Sequence, residues 1–193
     1  MILRKKGLEK FYDLVDAFET LPTIGKKSAL RLAYHIVHND TFCGLKLAHS
    51  IENAITGVKK CTQCGSLCEH EICEICLDEQ RDLQKLCIVQ SAKDIFIIEE
   101  SKQYSGLYFV LEDIEELQLN LLKQLVNQNN ICEILFAITP SLANDAFIMF
   151  IEDYLKEYSI VFSKIAQGVP TGVSLENVDI LSLSKAIHGK VSV

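Results

Sequence analysis

Two cysteine pairs, Cys61-x2-Cys64 and Cys73-x2-Cys76, stand eight residues apart in a chain of 193. Residues 61–76 carry no periodic apolar face, so they bury too little surface to fold unaided. Zn2+ takes four soft ligands in a tetrahedron, and two opposed turns of this spacing supply them. With all four positions filled by protein there is no place for water, which makes the expected site structural, one Zn per chain. Metal binding on the order of 10–16 kcal/mol then folds the segment. Gly65, directly after Cys64, permits the tight bend that such a turn needs. A redox dithiol pair and an iron–sulfur cluster are the competing uses of four such thiols. Cys68 and His70 lie inside the loop but belong to neither pair, and Cys43, Cys87 and Cys132 fall in helix or strand patterns as small core residues.

Eight cysteines could staple a secreted domain, but such scaffolds are short and loop-rich, whereas this chain is long and reads as helix and strand, so reduced thiols and a metal are expected. No apolar run reaches the roughly 20 residues of a membrane span, and Met1 to Gly7 has no apolar stretch behind its charges, so a soluble, cytoplasmic protein is expected. The net charge of -7 opposes a nucleic-acid partner on its face. Its distribution does not: residues 1–60 hold ten Lys/Arg against six Asp/Glu, and residues 61–193 hold nine against twenty. A basic end on an acidic body is the arrangement this predicts.

Leu8, Phe11, Tyr12, Leu14, Val15 and Phe18 recur at helical spacing, and Leu21-Pro22 ends that helix. A second helix follows Gly25 through Val37, and a third spans about 45–58. Beyond residue 86 short β-rich runs at 86–89, 107–111, 131–138 and 159–162 alternate with helical segments near 91–101, 113–129 and 142–157. That alternation predicts an α/β layer with a mostly parallel sheet. Ser91 and Ser141 stand at N-cap positions, and a short last helix is expected near 181–188, after Gly168, Pro170 and Gly172.

The turn Leu21-Pro-Thr-Ile-Gly25-Lys26-Lys27 puts two lysines at the start of a helix. Free N–H groups at a helix N-terminus and positive side chains make a phosphate site that reads no bases, with Gly25, Lys26, Lys27 and Arg31 as its candidate DNA-binding residues. The motif resembles a helix-hairpin-helix, with Thr23 where glycine is usual.

Taken with the hairpin of LPxIGxKSAxRxA type at 21–33, the four-cysteine module, the strand Ile88-Val-Gln-Ser91, the segment Gln103–Leu111 and the segment Ile165–Gly172, the whole chain resembles the RecR family of bacterial recombination mediators. The resemblance implies an α+β multi-unit protein: a helix-hairpin-helix unit over 1–57, a C4 zinc finger over 58–80, a Toprim-like α/β domain over 81–167 and a C-terminal arm over 168–193. It further implies a ring-like homo-oligomer, with a tetramer suspected, that encircles DNA. RecO, and RecF where present, would be partners in loading recombinase on single strands coated by SSB.

Catalytic Toprim domains hold Mg2+ with a glutamate after the first strand and an acidic pair after a later one. The matching positions here are Gln90 and a segment, 139–145, that offers only Asp145. Mg2+ requires hard anionic oxygens, so no catalytic residues and no phosphoryl transfer are expected. The alternative is a Mg-dependent Toprim nuclease or primase-like enzyme; a third reading is a protein adaptor with an acidic body. Glu99, Glu100 and Asp94 are read as solvated helix-surface acids.

Overall fold

The computed structural model describes residues 7–166, 168–169 and 171–189. They separate into two compact units, one ending at Val58 and one beginning at Lys59.

In the first unit, helices α1 (Glu9–Glu19) and α2 (Lys26–Tyr34) form a hairpin around a small core. Val15 of α1, with Phe11, Leu14 and Phe18 at helical spacing, packs on Ala29 and Ala33, which are fully buried. Two alanines in place of larger side chains let the helix axes approach closely. A π-helical turn, His35–Asn39, leads to Asp40, whose Oδ1 accepts the Cys43 N–H at 2.8 Å and caps α3 (Thr41–Gly57). This helix begins four residues before the apolar pattern suggests, because the cap, not the apolar spacing, sets its start.

The second unit opens with a two-stranded ribbon, β1 (Lys59–Lys60) and β2 (Leu67–Cys68), and a single helical turn, α4 (Glu74–Leu77). A four-stranded parallel sheet follows, made of β3 (Asp82–Val89), β4 (Gly106–Val110), β5 (Glu133–Phe136) and β6 (Val161–Lys164) in the order β4-β3-β5-β6. The crossovers are α5 (Ala92–Ser101), α6 (Glu116–Asn129) and α7 (Leu142–Tyr154). Alternation along β3 divides its side chains between two cores. Leu86 and Ile88 join Phe109, Leu122, Ile134, Phe136 and Ile151 on one face, and Cys87 and Val89 join Tyr108, Val110 and Ile95 on the other.

Ser141 caps α7 through its hydroxyl, which accepts the Asn144 N–H at 3.1 Å. Ser91 occupies the N-cap of α5, but it is the carbonyl that accepts the Asp94 N–H. After β6 come a 3-10 turn, Leu175–Asn177, and α8 (Ile180–His188), capped by Asp179. Gln167 and Pro170 of the segment 165–172 lie outside the described residues. No described helix is long and apolar enough to cross a membrane.

Two expected core positions are corrected. Cys87 is fully buried, but Cys43 and Cys132 are exposed. Cys43 lies in the first turn of α3, a helix with no buried residue, and Cys132 precedes β5, outside the alternation that turns side chains inward. The apolar pattern locates an element without fixing which of its residues face the core.

Candidate metal centre and nucleic-acid interface

The Sγ atoms of Cys61, Cys64, Cys73 and Cys76 all lie within 4.8 Å of one another. Cys64 and Cys73 are 3.5 Å apart and Cys61 and Cys76 4.0 Å. Four bonds of about 2.3 Å in a tetrahedron place sulfurs roughly 3.8 Å apart, so the spacing fits zinc. Backbone N–H groups aim at the same sulfurs: Ser66 donates to Cys64 at 3.4 Å and Cys73 to Cys61 at 3.3 Å. Such donors stabilise thiolates, and thiolates are what zinc binds.

Hydrogen bonds from Cys64 and then Cys76 hold the Cys73 thiol far below its ordinary range. Its neighbours bear the cost: the bond to Cys73 pushes Cys64 up, and bonds to Cys64 and Cys73 push Cys76 up. A divalent cation resolves this conflict by favouring all four thiolates at once. Cys68 is outside the set, its thiol donating to the His70 carbonyl at 2.8 Å.

The module rests on the sheet. Val110 of edge strand β4 donates its N–H to the Cys64 carbonyl at 2.7 Å. Gly65 has φ +77°, and a Cβ there would stand 3.2 Å from Val110 Cβ, so both the turn and the close approach require glycine. At the far end of the module, Arg81 reaches Glu99 with Nη1 at 3.0 Å and also with Nη2. The same Nη1 donates to the Gly106 carbonyl, and the Tyr108 hydroxyl donates to Glu99 at 2.6 Å. The Arg81 guanidinium holds the Glu99 carboxyl below the usual carboxylate range. Glu99 is thus no solvated surface acid: its partner stands eighteen residues earlier and is met only in the folded chain.

At the carboxyl ends of β3 and β5, where the strand order reverses, open α/β sheets place their ligands. Gln90 and Asn144 face each other there as neutral amides. Gln90 Nε2 donates to Asn144 Oδ1 at 3.0 Å, and Asn144 Nδ2 donates to Gln90 Oε1 at 3.2 Å and to the Thr139 carbonyl at 2.7 Å. Asp145 is 3.3 Å from Lys164 Nζ. Gln90 stood out in the sequence by its place after a strand; Asn144 carried no signal, because the partnership spans 54 residues. Among the described residues, the cysteine set is the one group of His, Cys, Asp and Glu close enough to hold a metal.

In the first unit, Gly25 caps α2 with no side-chain hydrogen bond to the helix, and no acidic residue occupies the first turn. Lys26 and Lys27 are exposed in that turn, and Arg31, also exposed, is one helical turn beyond Lys27. Positive side chains at the positive end of a helix each oppose the macrodipole by roughly 0.3–1 kcal/mol. No heavy atom would meet a Cβ on Gly25 within 4 Å, so packing within the unit does not require glycine there.

Residues 11–55 match the family model described as RecR, helix-hairpin-helix, and residues 58–78 match the model for the four-cysteine zinc finger domain of RecR. The Recombination protein RecR of Campylobacter jejuni subsp. doylei is 56% identical over 188 residues, which cover 97% of this chain and 99% of that protein. Its namesake from Nitratiruptor sp. is 57% identical over 189 residues, 98% of this chain and 100% of the relative. The Helicobacter pylori (strain HPAG1) protein is 46% identical over 187 residues, 97% of each. Two matching modules in order and identity of this level along nearly the whole length carry one conclusion: the chain belongs to the RecR family.

Proposed function

We propose that this chain is a non-catalytic, DNA-binding mediator of recombinational DNA repair. Membership of the family supports the role in recombinational repair. The observation that carries the DNA-binding reading is the start of α2: a helix N-terminus without a side-chain cap, with Lys26, Lys27 and Arg31 exposed around Gly25 and no acidic residue in its first turn. These choices weaken an isolated helix and suit one that receives phosphate. Contacts of this kind are sequence-independent and weaken with salt. A homo-oligomer, with a tetrameric ring as the family suggests, gathers several such faces around one DNA and offsets the acidic balance of the rest of the chain.

The non-catalytic reading is supported by the switch point, where two amides satisfy each other and Asp145 has a lysine beside it. Neutral amides are poor Mg2+ ligands. We further assign residues 1–57 to a helix-hairpin-helix unit, 58–80 to the zinc finger, 81–167 to a Toprim-like domain and 168–193 to an arm, and place the protein in the cytoplasm with RecO, and RecF where present, in loading recombinase on SSB-coated single strands.

The test is DNA retention by the full-length protein, alone and with RecO, at low salt. Wild type is expected to retain DNA, and Lys26→Glu with Lys27→Glu to lose at least about tenfold in affinity. No Mg2+-dependent cleavage or synthesis is expected. Turnover that disappears in Asp145→Ala would establish the enzyme reading instead, and retention unchanged by the lysine substitutions would remove the hairpin from the interface.

A further inference from the structure

Between the zinc module and α5 lies a groove of about 310 Å3 that joins apolar side chains to carboxylates. Ile72 and Ile75 line it, and both pack on the cluster of Cys61, Cys64 and Cys73. Ile75 also packs on the sheet core that holds Cys87 and Val89, so this side of the groove is fixed by two cores at once. Leu67 of β2 and Phe96 of α5 line it as well, yet they are 46% and 52% exposed. Two large apolar side chains thus stay open to water beside a preformed cleft. Glu69 and Glu74 are exposed lining residues, with exposed Glu71 between them in sequence. Residues 61–80 hold these three with Asp78 and Glu79 and no Lys or Arg, and no Lys or Arg lines the groove. Asp78 meets Arg81 at 3.6 Å, but among the described residues Glu69, Glu71 and Glu74 enter no ion pair.

We infer that this groove is a docking site for a basic segment of a partner protein, with an apolar anchor, Leu or Phe, flanked by Lys or Arg. The charge around the cleft selects the occupant. Nucleic acid and anionic lipid headgroups present phosphate, which carboxylates repel. A neutral apolar segment would fill the cleft but draw water away from the carboxylates without giving them partners. A segment with cations on both sides of its anchor meets both needs. The anchor takes Leu67 and Phe96 out of water, at roughly 25 cal/mol for each Å2 of apolar surface removed. Its flanking cations reach Glu69, Glu71 and Glu74, and such rim pairs set the choice of partner and the rate of encounter more than the affinity. A volume of about 310 Å3 stands near the low end of the roughly 300–1,000 Å3 usual for ligand clefts, which suits an anchor side chain and its neighbours, not a whole domain. The groove contains no residue of the N-terminal hairpin, so partner capture is independent of the DNA-binding reading.

The experiment measures, by fluorescence anisotropy with the full-length, zinc-loaded protein, the binding of a labelled peptide GKKLFKKG. Two controls accompany it: GEELFEEG reverses the charges, and GKKSSKKG removes the anchor. The first peptide is expected to bind and each control to bind at least about tenfold more weakly, since each lacks one half of the recognition. Glu69→Gln with Glu74→Gln is expected to weaken the first peptide roughly three- to tenfold, as two exposed ion pairs are lost. Phe96→Ser is expected to weaken it at least about fivefold through loss of the anchor contact. Zinc content and the unfolding midpoint check that the variants fold, and Leu67→Ser replaces Phe96→Ser should the latter be unstable. DNA retention by these variants is expected to stay at the wild-type level. No binding of GKKLFKKG, equal binding of GKKSSKKG, or unchanged affinity in either the carboxylate or the apolar variant would overturn the inference. Variants that lose DNA retention would make the groove a nucleic-acid face, and variants with a smaller native mass than wild type would make it a contact between copies; either result also overturns it.

Discussion

Thr23 adopts φ 68°, in the left-handed region where a β-branched side chain crowds its own backbone. It occupies the turn that delivers Gly25 to the start of α2, so the hairpin keeps its geometry at a local cost of about 1–2 kcal/mol. Thr23→Gly is expected to stabilise the protein by about 1 kcal/mol in denaturant unfolding, the greater freedom of glycine in the unfolded chain offsetting part of the relief. A destabilised variant would mean that the threonine makes contacts worth more than the strain. Glu99 gives the other residue-scale expectation. Its carboxyl is held below the ordinary range by Arg81, so its contribution to stability is present above the unfolded-state value, about pH 4.3, and lost as pH falls through the lower folded value. Glu99→Gln is expected to cost about 2 kcal/mol at pH 7 and to flatten the acid limb of a stability-versus-pH profile. An acid limb as steep as wild type would place the titrating carboxylate elsewhere.

At the scale of elements, local signals were legible and long-range partnerships were not. The two CxxC pairs, the helix-breaking Leu21-Pro22 and the alternation of strand and helix each state their meaning within a few residues, and the metal ligands, α1, α2 and the parallel sheet follow from them. The Gln90–Asn144 pair, the Arg81–Glu99 pair and the seat of Cys64 on Val110 join residues 54, 18 and 46 positions apart. No spacing rule reaches that far, so the sequence could present Glu99 only as one more acid on a helix. The docking of the zinc module on β4 predicts a measurable coupling. Removing zinc with a strong chelator should speed amide exchange at Val110, whose N–H is bonded to Cys64, by at least about tenfold, while Ile88 in the central strand stays protected. Exchange at Val110 unchanged by chelation would show that the ribbon holds its place without the metal.

At the scale of the whole chain, the decisive property is the division of charge. Ten basic against six acidic residues up to residue 60, and nine against twenty beyond it, place the basic excess in the first third of the chain, Lys59 and Lys60 of the zinc ribbon included. Salt therefore provides the most direct test of the central claim that the hairpin binds DNA through phosphates. Binding of full-length protein to a duplex oligonucleotide, followed by fluorescence anisotropy between about 50 and 200 mM salt, gives a log–log slope of about 0.9 for each phosphate neutralised. Lys26→Ala with Lys27→Ala is expected to reduce the steepness of that slope by roughly 1.8 for every hairpin engaged, together with a uniform loss of affinity across unrelated sequences. Wild-type affinity and wild-type slope in the double variant would contradict it.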